Sequence, residues 1–368
     1  MDDSSEGTTL FVAAGGGGDA LASLLISHRV VADRNHPIVA SYSWDRRLLD
    51  PLPGPRSTAD FEGARHLTPR NVEITAKSRL RFGGRSTLSL LAETTAARFV
   101  LLDPSDGATG MRRQLMELTE HFAFESVVLV DVGGDLLATG TEAELRSPLA
   151  DALALASLVD FPIPVHIAVA GAGLDGELSP SYVRSRCITL GGTLFAQLDN
   201  SDVEPYFAAL AEHPSEATTL LAAAALGMTG RAEIRDNADL VFLTGESAGV
   251  YVLSISMALA GNELAKQLIP TRSMTEAESV TLAICGRSEL SYERQKAETL
   301  HSMTTPTEAE MRRSLEDFWS SSAARGVTLV TFRRLGEVMK LTSYDSHLIR
   351  SLVGSHAHER LALCSTAA

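Results

Sequence analysis

The sequence predicts an α/β fold: a doubly wound, mainly parallel sheet with helices on both faces and a helical C-terminal extension. Three observations predict it. Short runs rich in β-branched and apolar residues alternate with Ala/Leu-rich segments of helical length, the pattern of parallel strands joined by crossover helices. Those runs are almost continuously apolar, as strands covered on both faces are. At 368 residues, with 45% hydrophobic and 21% charged residues, the chain has a globular composition and length enough for one large domain with an appendage.

In chain order the strand candidates are residues 10–14, 38–42, 99–103, 127–131, 165–170, 240–244 and 250–255. Ser147-Pro148, Ser179-Pro180 and Thr305-Pro306 each set an N-cap residue before a proline suited to the first helical position, and Thr305 with Glu308 forms a capping box. Gly227 ends the Ala-rich helix that begins near Pro214. Residues 52–70, rich in Pro, Gly and charge, read as a long loop or lid. After about residue 262 the pattern changes to capped helices with one further strand at 327–331. The expected division is an α/β domain over 1–262, with its ligand site at the strand carboxyl ends, and a mainly helical extension over 263–368.

The formal charge of −14 argues against nucleic acid as a partner, because that binding rests on clustered Lys and Arg. Cys187, Cys285 and Cys364 are isolated and form no CxxC pair, so neither a disulfide framework nor a cysteine zinc site is indicated. Residues 1–7 are acidic where a secretory signal has a basic start and an apolar stretch. A cytoplasmic location is expected. The longest apolar stretches, near 220–226 and 250–260, are too short to span a bilayer, so no membrane partner is expected. The expected partner is a small-molecule ligand, and the oligomeric state, homo-oligomer included, stays open.

Chemistry concentrates in a recurrence. The first strand runs into Gly15-Gly16-Gly17-Gly18-Asp19; a later one runs through Asp131 into Gly133-Gly134-Asp135; a third runs into Gly171-Ala172-Gly173-Leu174-Asp175-Gly176-Glu177; and a looser fourth reaches Gly245-Glu246. Strand, glycine, carboxylate is the shared order. In an open parallel sheet the strand carboxyl ends share one edge, and ligands bind there where strand order reverses. The acids then converge, joined by Asp103 and Asp106, while glycines let the backbone approach a ligand closely. Asp after Gly also serves as an ordinary N-cap, but four such endings on one rim ask for more.

Carboxylates gathered on one rim repel one another unless something positive sits among them. Mg²⁺ or another divalent cation, a cationic substrate, or the protein's own Arg are the candidates. Oxygen ligands without His/Cys pairs suit a hard cation, with Asp19, Asp131 and Asp135 as its ligands. Asp135, Asp175, Glu177 and His213 are the catalytic candidates. Gly15 to Gly18, Asp19, Gly133 and Gly134 are the candidates for cradling a cofactor or phosphate. Arg231 and Arg235 carry the fork geometry that clamps carboxylate or phosphate. Gly15, Gly17 and Ala20 also satisfy a dinucleotide fingerprint, which keeps NAD(P) as an alternative cofactor. The acid that should hold a ribose is misplaced, however, with Asp33 too early and Asp45 beyond the strand.

Five segments together resemble the family known as domain of unknown function 1152: Gly15 to Ala20, Asp131 to Asp135, Ser147-Pro148-Leu149 with Asp151-Ala152, Asp175 to Leu178, and His213 to Ala217. The resemblance covers about residues 8–335. It implies that the carboxylate positions belong to one site and brings no reaction with it. The stretch from Gly17 to Ala22 is similar to the first calcium-binding stretch of nucleoside hydrolases, which carries further aspartates where this chain has Ala13 and Gly15. The expected activity is that of a metabolic enzyme acting on a small polar metabolite, phosphate- or sugar-bearing, with transferase, lyase and hydrolase all open. A NAD(P)-dependent oxidoreductase and a non-catalytic metabolite-binding protein are the alternatives.

Overall fold

A computed structural model of the chain describes residues 8–30, 36–235, 239–300 and 305–366; the acidic stretch 1–7 and Asp33 lie outside them. The strands, in order, are β1 (Thr9–Ala13), β2 (Ile38–Ser41), β3 (Phe61–Glu62), β4 (Arg65–His66), β5 (Val72–Ile74), β6 (Arg79–Leu80), β7 (Arg98–Leu101) and β8 (Ser126–Val132). They continue with β9 (Val165–Ala170), β10 (Thr193–Gln197), β11 (Gly230–Glu233), β12 (Val241–Leu243), β13 (Gly249–Ser254), β14 (Leu329–Thr331) and β15 (Leu363–Ser365).

Nine of them make one sheet in the order β10-β13-β9-β8-β1-β2-β7-β5-β4. Its centre is parallel: β9, β8, β1, β2 and β7 pair in register as parallel neighbours. The alternation of side chains along β1 explains the two helical layers. Leu10 and Val12 point into one buried cluster and Phe11 and Ala13 into another, and β8 divides Val127 and Leu129 from Val128 and Val130 in the same way. Helices α1 (Gly17–Val30) and α2 (Thr87–Thr94) cover one face through Leu21, Leu24, Leu25, Leu88 and Leu91. Helices α3 (Gly107–Phe122) and α4 (Pro148–Ser157) cover the other through Met111, Leu115, Leu149 and Leu153. The α/β class with helices on both faces is the observed architecture.

From β1 the chain moves outward to β2 and β7, then crosses back to β8 and β9 on the other side. The order therefore reverses between β1 and β8, and a crevice opens at their carboxyl ends.

Three expectations are corrected. The run at 240–244 forms β12, which belongs to a separate four-stranded sheet, β12-β11-β14-β15. The region after 262 contributes two strands to that sheet rather than one; β14 pairs in parallel with β11. Residues 52–70 are no free lid, because β3 pairs with β6, β4 pairs with β5, and β5 extends the large sheet beyond β7. Ion pairs hold this edge, with the buried Glu73 carboxylate taking both Arg98 (2.9 Å) and Arg65.

The helix starts follow the sequence with one shift. Ser179 caps its helix by accepting from Tyr182 N–H, whereas the helix expected from Thr305 begins at Glu308 with Thr307 and Glu310 as the capping box. The segment Thr305-Pro-Thr307-Glu308-Ala-Glu310 holds two overlapping T-x-x-E patterns, and the second puts both glutamates in the first turn, where the helix dipole favours them. Gly227, at φ +79°, follows the helix Glu216–Ala225 as expected. No helix among the described residues is long and apolar enough to cross a membrane.

Gly134 holds φ +108°, and a Cβ there would collide with Val183 Cγ1. Gly191 shares a positive φ, +73°, with nothing within 4 Å of the added atom. Gly134→Ala should cost about 2 kcal/mol or more in chemical denaturation and Gly191→Ala about 1 kcal/mol. Equal losses would show that steric contact at Gly134 contributes nothing.

Candidate active site

The crevice is built from three strand ends. The chain leaves β1 at Ala14 and starts α1 at Gly17, so Asp19 sits in the first helical turn and turns back to accept Gly15 N–H at 2.6 Å. Asp131 lies within β8, and its carboxylate accepts the N–H groups of Gly134 (3.4 Å) and Leu136 (3.3 Å). Gly133 and Gly134, both at positive φ, turn the chain so that Asp135 follows immediately. Gly133 also lets a neighbour approach, since a Cβ there would lie 2.5 Å from Asp175 Cγ in the segment after β9. Asp151 arrives from the first turn of α4.

These acids sort into two groups. Asp19, Asp131 and Asp151 form one and Asp135, Asp175 and Glu177 the other; in each, one oxygen per residue lies within 4.8 Å of the others. They line a cavity of about 180 Å³ whose walls include Trp44, Arg46, His213, Glu216, Glu289 and Arg333.

Electrostatics in the cavity follow from burial. Burial pushes Asp19 up to about 7 against the Gly15 N–H bond, and Glu289 up to about 7 against N–H bonds from Ala150 and Leu149. Asp175 rises to about 6 through burial and the nearby Glu177. Asp131, Asp135 and Asp151 rise well above the usual carboxylate range, through burial first and then through the charge of neighbouring carboxylates, Asp19 and Asp175 on Asp131, Asp175 and Glu177 on Asp135, and Asp131 and Asp19 on Asp151. Glu177 is the exception: burial raises it, but Arg235 together with bonds from Ser147 and Arg146 brings it below its ordinary value. The Arg235 guanidinium lies 3.4 Å from Glu177 and also donates to Gly176 O. Glu177 therefore carries anionic charge in this group, and Asp135 is the member that holds a proton most readily.

His213 is 1% exposed. Its Nδ1 accepts Ser215 N–H at 3.1 Å, which places the hydrogen of the neutral ring on Nε2, and Nε2 has no partner. Burial drops its pKa to about 3. His213 therefore faces the cavity as a neutral ring with an N–H donor at physiological pH.

Two contributors escape the local sequence. Ser147 precedes α4, but its hydroxyl donates to Glu177 at 2.6 Å and does not cap. The cap comes from Glu289, whose Oε1 accepts from Leu149 N–H (2.8 Å) and Ala150 N–H (3.0 Å) across about 140 positions. Its other oxygen is buried without a partner. Asp151 stands in one of the recognisable motifs yet reads there as an ordinary first-turn acid.

The structure thus gathers Asp19, Asp131, Asp135, Asp175, Glu177, His213, Arg235 and Gly15 to Gly18 around one cavity. Others expected on that rim lie elsewhere. Asp103 binds Thr58 N–H and Ser105 beyond β7, two strands from β1, and Asp106 precedes α3. Glu246 is exposed beside Arg184 because β12 belongs to the other sheet, and Arg231 packs over the Phe242 ring. Gly133 and Gly134 shape the turn without lining the cavity. The glycine row is less open than expected: Cβ atoms on Gly16, Gly17 and Gly18 would meet Trp44 O at 2.7 Å, Thr87 Oγ1, and Ser215 Oγ at 2.5 Å. Asp45 is engaged with Thr87 and Ser43.

Fold and crevice define a doubly wound α/β protein with a carboxylate-lined pocket at its strand switch. Residues 10–297 match the family described as protein of unknown function, DUF1152, and the chain belongs to that family. No curated protein and no solved structure matches it.

The raised carboxyls fix the sign of the pH dependence. Asp19 and Glu289 near 7, and Asp175 and Asp45 near 6, against ordinary values of 3.8 for Asp and 4.5 for Glu, bind more protons folded than unfolded, so their stabilisation is complete below those ordinary values and lost as pH rises from there to 6 or 7, at about 1.4 kcal/mol per unit for each group over that window. His213 opposes this below its ordinary 6.5, one group against several. Chelator-treated protein should melt several degrees higher at about pH 5.5 than at about pH 7.5. A lower midpoint in acid would overturn the assignment of protonated carboxyls.

Proposed function

We propose that the protein is a cytoplasmic enzyme with a Rossmann-like core, whose pocket binds a small polar metabolite, phosphate- or sugar-bearing, together with divalent cations such as Mg²⁺. The observation that carries this reading is the pair of carboxylate groups at the strand switch, four of the six acids buried, with Asp135, 8% exposed, holding an unpartnered Oδ1 in the cavity wall. A buried acceptor with nothing to accept from is costly unless a ligand completes it. The donor set, all oxygen, fits a hard cation; Asp19, Asp131 and Asp151 would hold one and Asp135, Asp175 and Glu177 a second. Such ions supply Lewis acidity at a phosphoryl or hydroxyl oxygen.

The chain's own groups divide the remaining work. Ser147 and the Arg146 N–H fix Glu177, and Arg235 neutralises it. Asp135 stands with Asp175 and Glu177, one oxygen of each within 4.8 Å of the others, and in the absence of a cation there its raised pKa lets it carry a proton to a substrate oxygen. His213 Nε2–H donates to the ligand. Transferase, lyase and hydrolase chemistry all use these elements. The dinucleotide reading draws less support, because protein atoms cover the faces of Gly16, Gly17 and Gly18 and Asp45 is already engaged.

Mn²⁺ titration by calorimetry tests the site directly. Wild-type protein should bind it, and Asp135→Asn and Asp131→Asn should each weaken binding by at least about tenfold, or 1.4 kcal/mol, without loss of fold. Absence of Mn²⁺ binding by wild-type protein overturns the cation reading, and metabolite binding without turnover leaves a binding protein. His213→Gln, which keeps a donor near Nε2, should retain more ligand affinity than His213→Ala; equal losses would remove the donor role.

A further inference from the structure

Beside the carboxylate pocket, and sharing Arg46, Ser147, Glu177, Arg235, Glu289 and Arg333 with it, lies a chamber of about 840 Å³. Its charge is reversed. Among the described residues nine Arg and Lys side chains line it against four Glu, in a chain with 32 basic and 46 acidic residues. The difference is local and calls for an anion.

Two of these cations are held in place without being neutralised. Arg47 donates to the carbonyl of Lys296, and Arg287 to those of Ala143 and Leu145. Arg47, Arg146 and Arg287 form no carboxylate ion pair among the described residues, whereas Arg235 and Arg333 turn inward to Glu177 and Glu216. Carbonyl bonds orient a guanidinium and leave its full charge available to a ligand. Tyr292, 58% exposed, presents its ring on the same wall. Where the two chambers meet, Arg235 Nε and Glu289 Oε2 are buried without partners, so the junction itself is incomplete without a ligand. The volume matches that of a nucleotide-sized molecule.

Taking the carboxylate pocket as the reaction site, we propose that the outer chamber binds the phosphate portion of the substrate. The substrate is then a phosphorylated compound of nucleotide size, its phosphates on Arg47, Arg146 and Arg287 and its reacting end reaching past Arg235 into the carboxylates. The charge reversal sorts the two ends: acids repel a bare phosphate, and the arginines retain it outside.

The test is calorimetric titration of the full, metal-free chain with inorganic pyrophosphate, and with citrate as an anion lacking phosphorus. Pyrophosphate should bind, more tightly than citrate, and Arg146→Glu should weaken it by at least about tenfold. Arg287→Glu is the second variant, and thermal melts check that each is folded. Asp135→Asn should leave pyrophosphate affinity within about twofold while weakening Mn²⁺ binding at its own group by at least about tenfold, because the two chambers bind independent groups. Failure of wild-type protein to bind pyrophosphate, binding untouched by both folded charge reversals, or equal affinity for citrate overturns the proposal. Mn²⁺ binding retained in Arg146→Glu keeps that failure distinct from failure of the carboxylate site.

Discussion

Six carboxylates crowded together at three neighbouring strand ends and the start of α4, four of them buried and two half-buried, set the terms for the rest of this structure. Like charges removed from water cannot all ionise, so protons, backbone N–H groups and one guanidinium share the task of holding them. The arrangement around them follows from that need. Asp19 folds back onto Gly15 N–H, Asp131 takes two amides of its own turn, and Glu177 draws on Ser147, Arg146 and Arg235. The glycines at 133 and 134 permit the sharp turn that brings Asp135 beside Asp175. Helix α4 begins at the same place and directs Asp151 inward.

The sheet supplies the rigidity that such a cluster requires. β1 and β8 lie at its centre, buried on both faces, so the backbone that carries Asp19, Asp131 and Asp135 is packed between two cores. Groups held on central strands move little, and preorganised dipoles and charges are more effective than those that must rearrange. The second sheet and the helices after it add the other wall, contributing Arg235, Glu289 and Arg333.

Much of this was legible in the residues. Near-continuous apolar runs identified β1, β2, β7, β8 and β9 because strands buried twice leave no polar alternation, and the glycine-acid endings of three of them located the crevice. What was not legible depended on distance in sequence. β4, β5 and β11 are short and carry charged residues such as Arg65, Glu73 and Glu233, whose ion pairs form only after folding. Gly245-Glu246 repeats the glycine-acid order yet belongs to another sheet, because local order does not report which sheet a strand joins. Asp103 has the right neighbours and the wrong strand position. Arg235 and Glu289 reach the crevice from segments whose own patterns announce only a strand end and a helix start.

Glu289 gives the pocket a particular assembly order. One oxygen closes the start of α4 and the other faces the cavity, so a contact between positions some 140 residues apart completes both the helix and the binding wall. During synthesis the carboxylates of β1, β8 and β9 emerge first and remain unwalled until the segment bearing Glu289 docks. The nascent chain therefore carries a half-built site until the segment bearing Glu289 has been made.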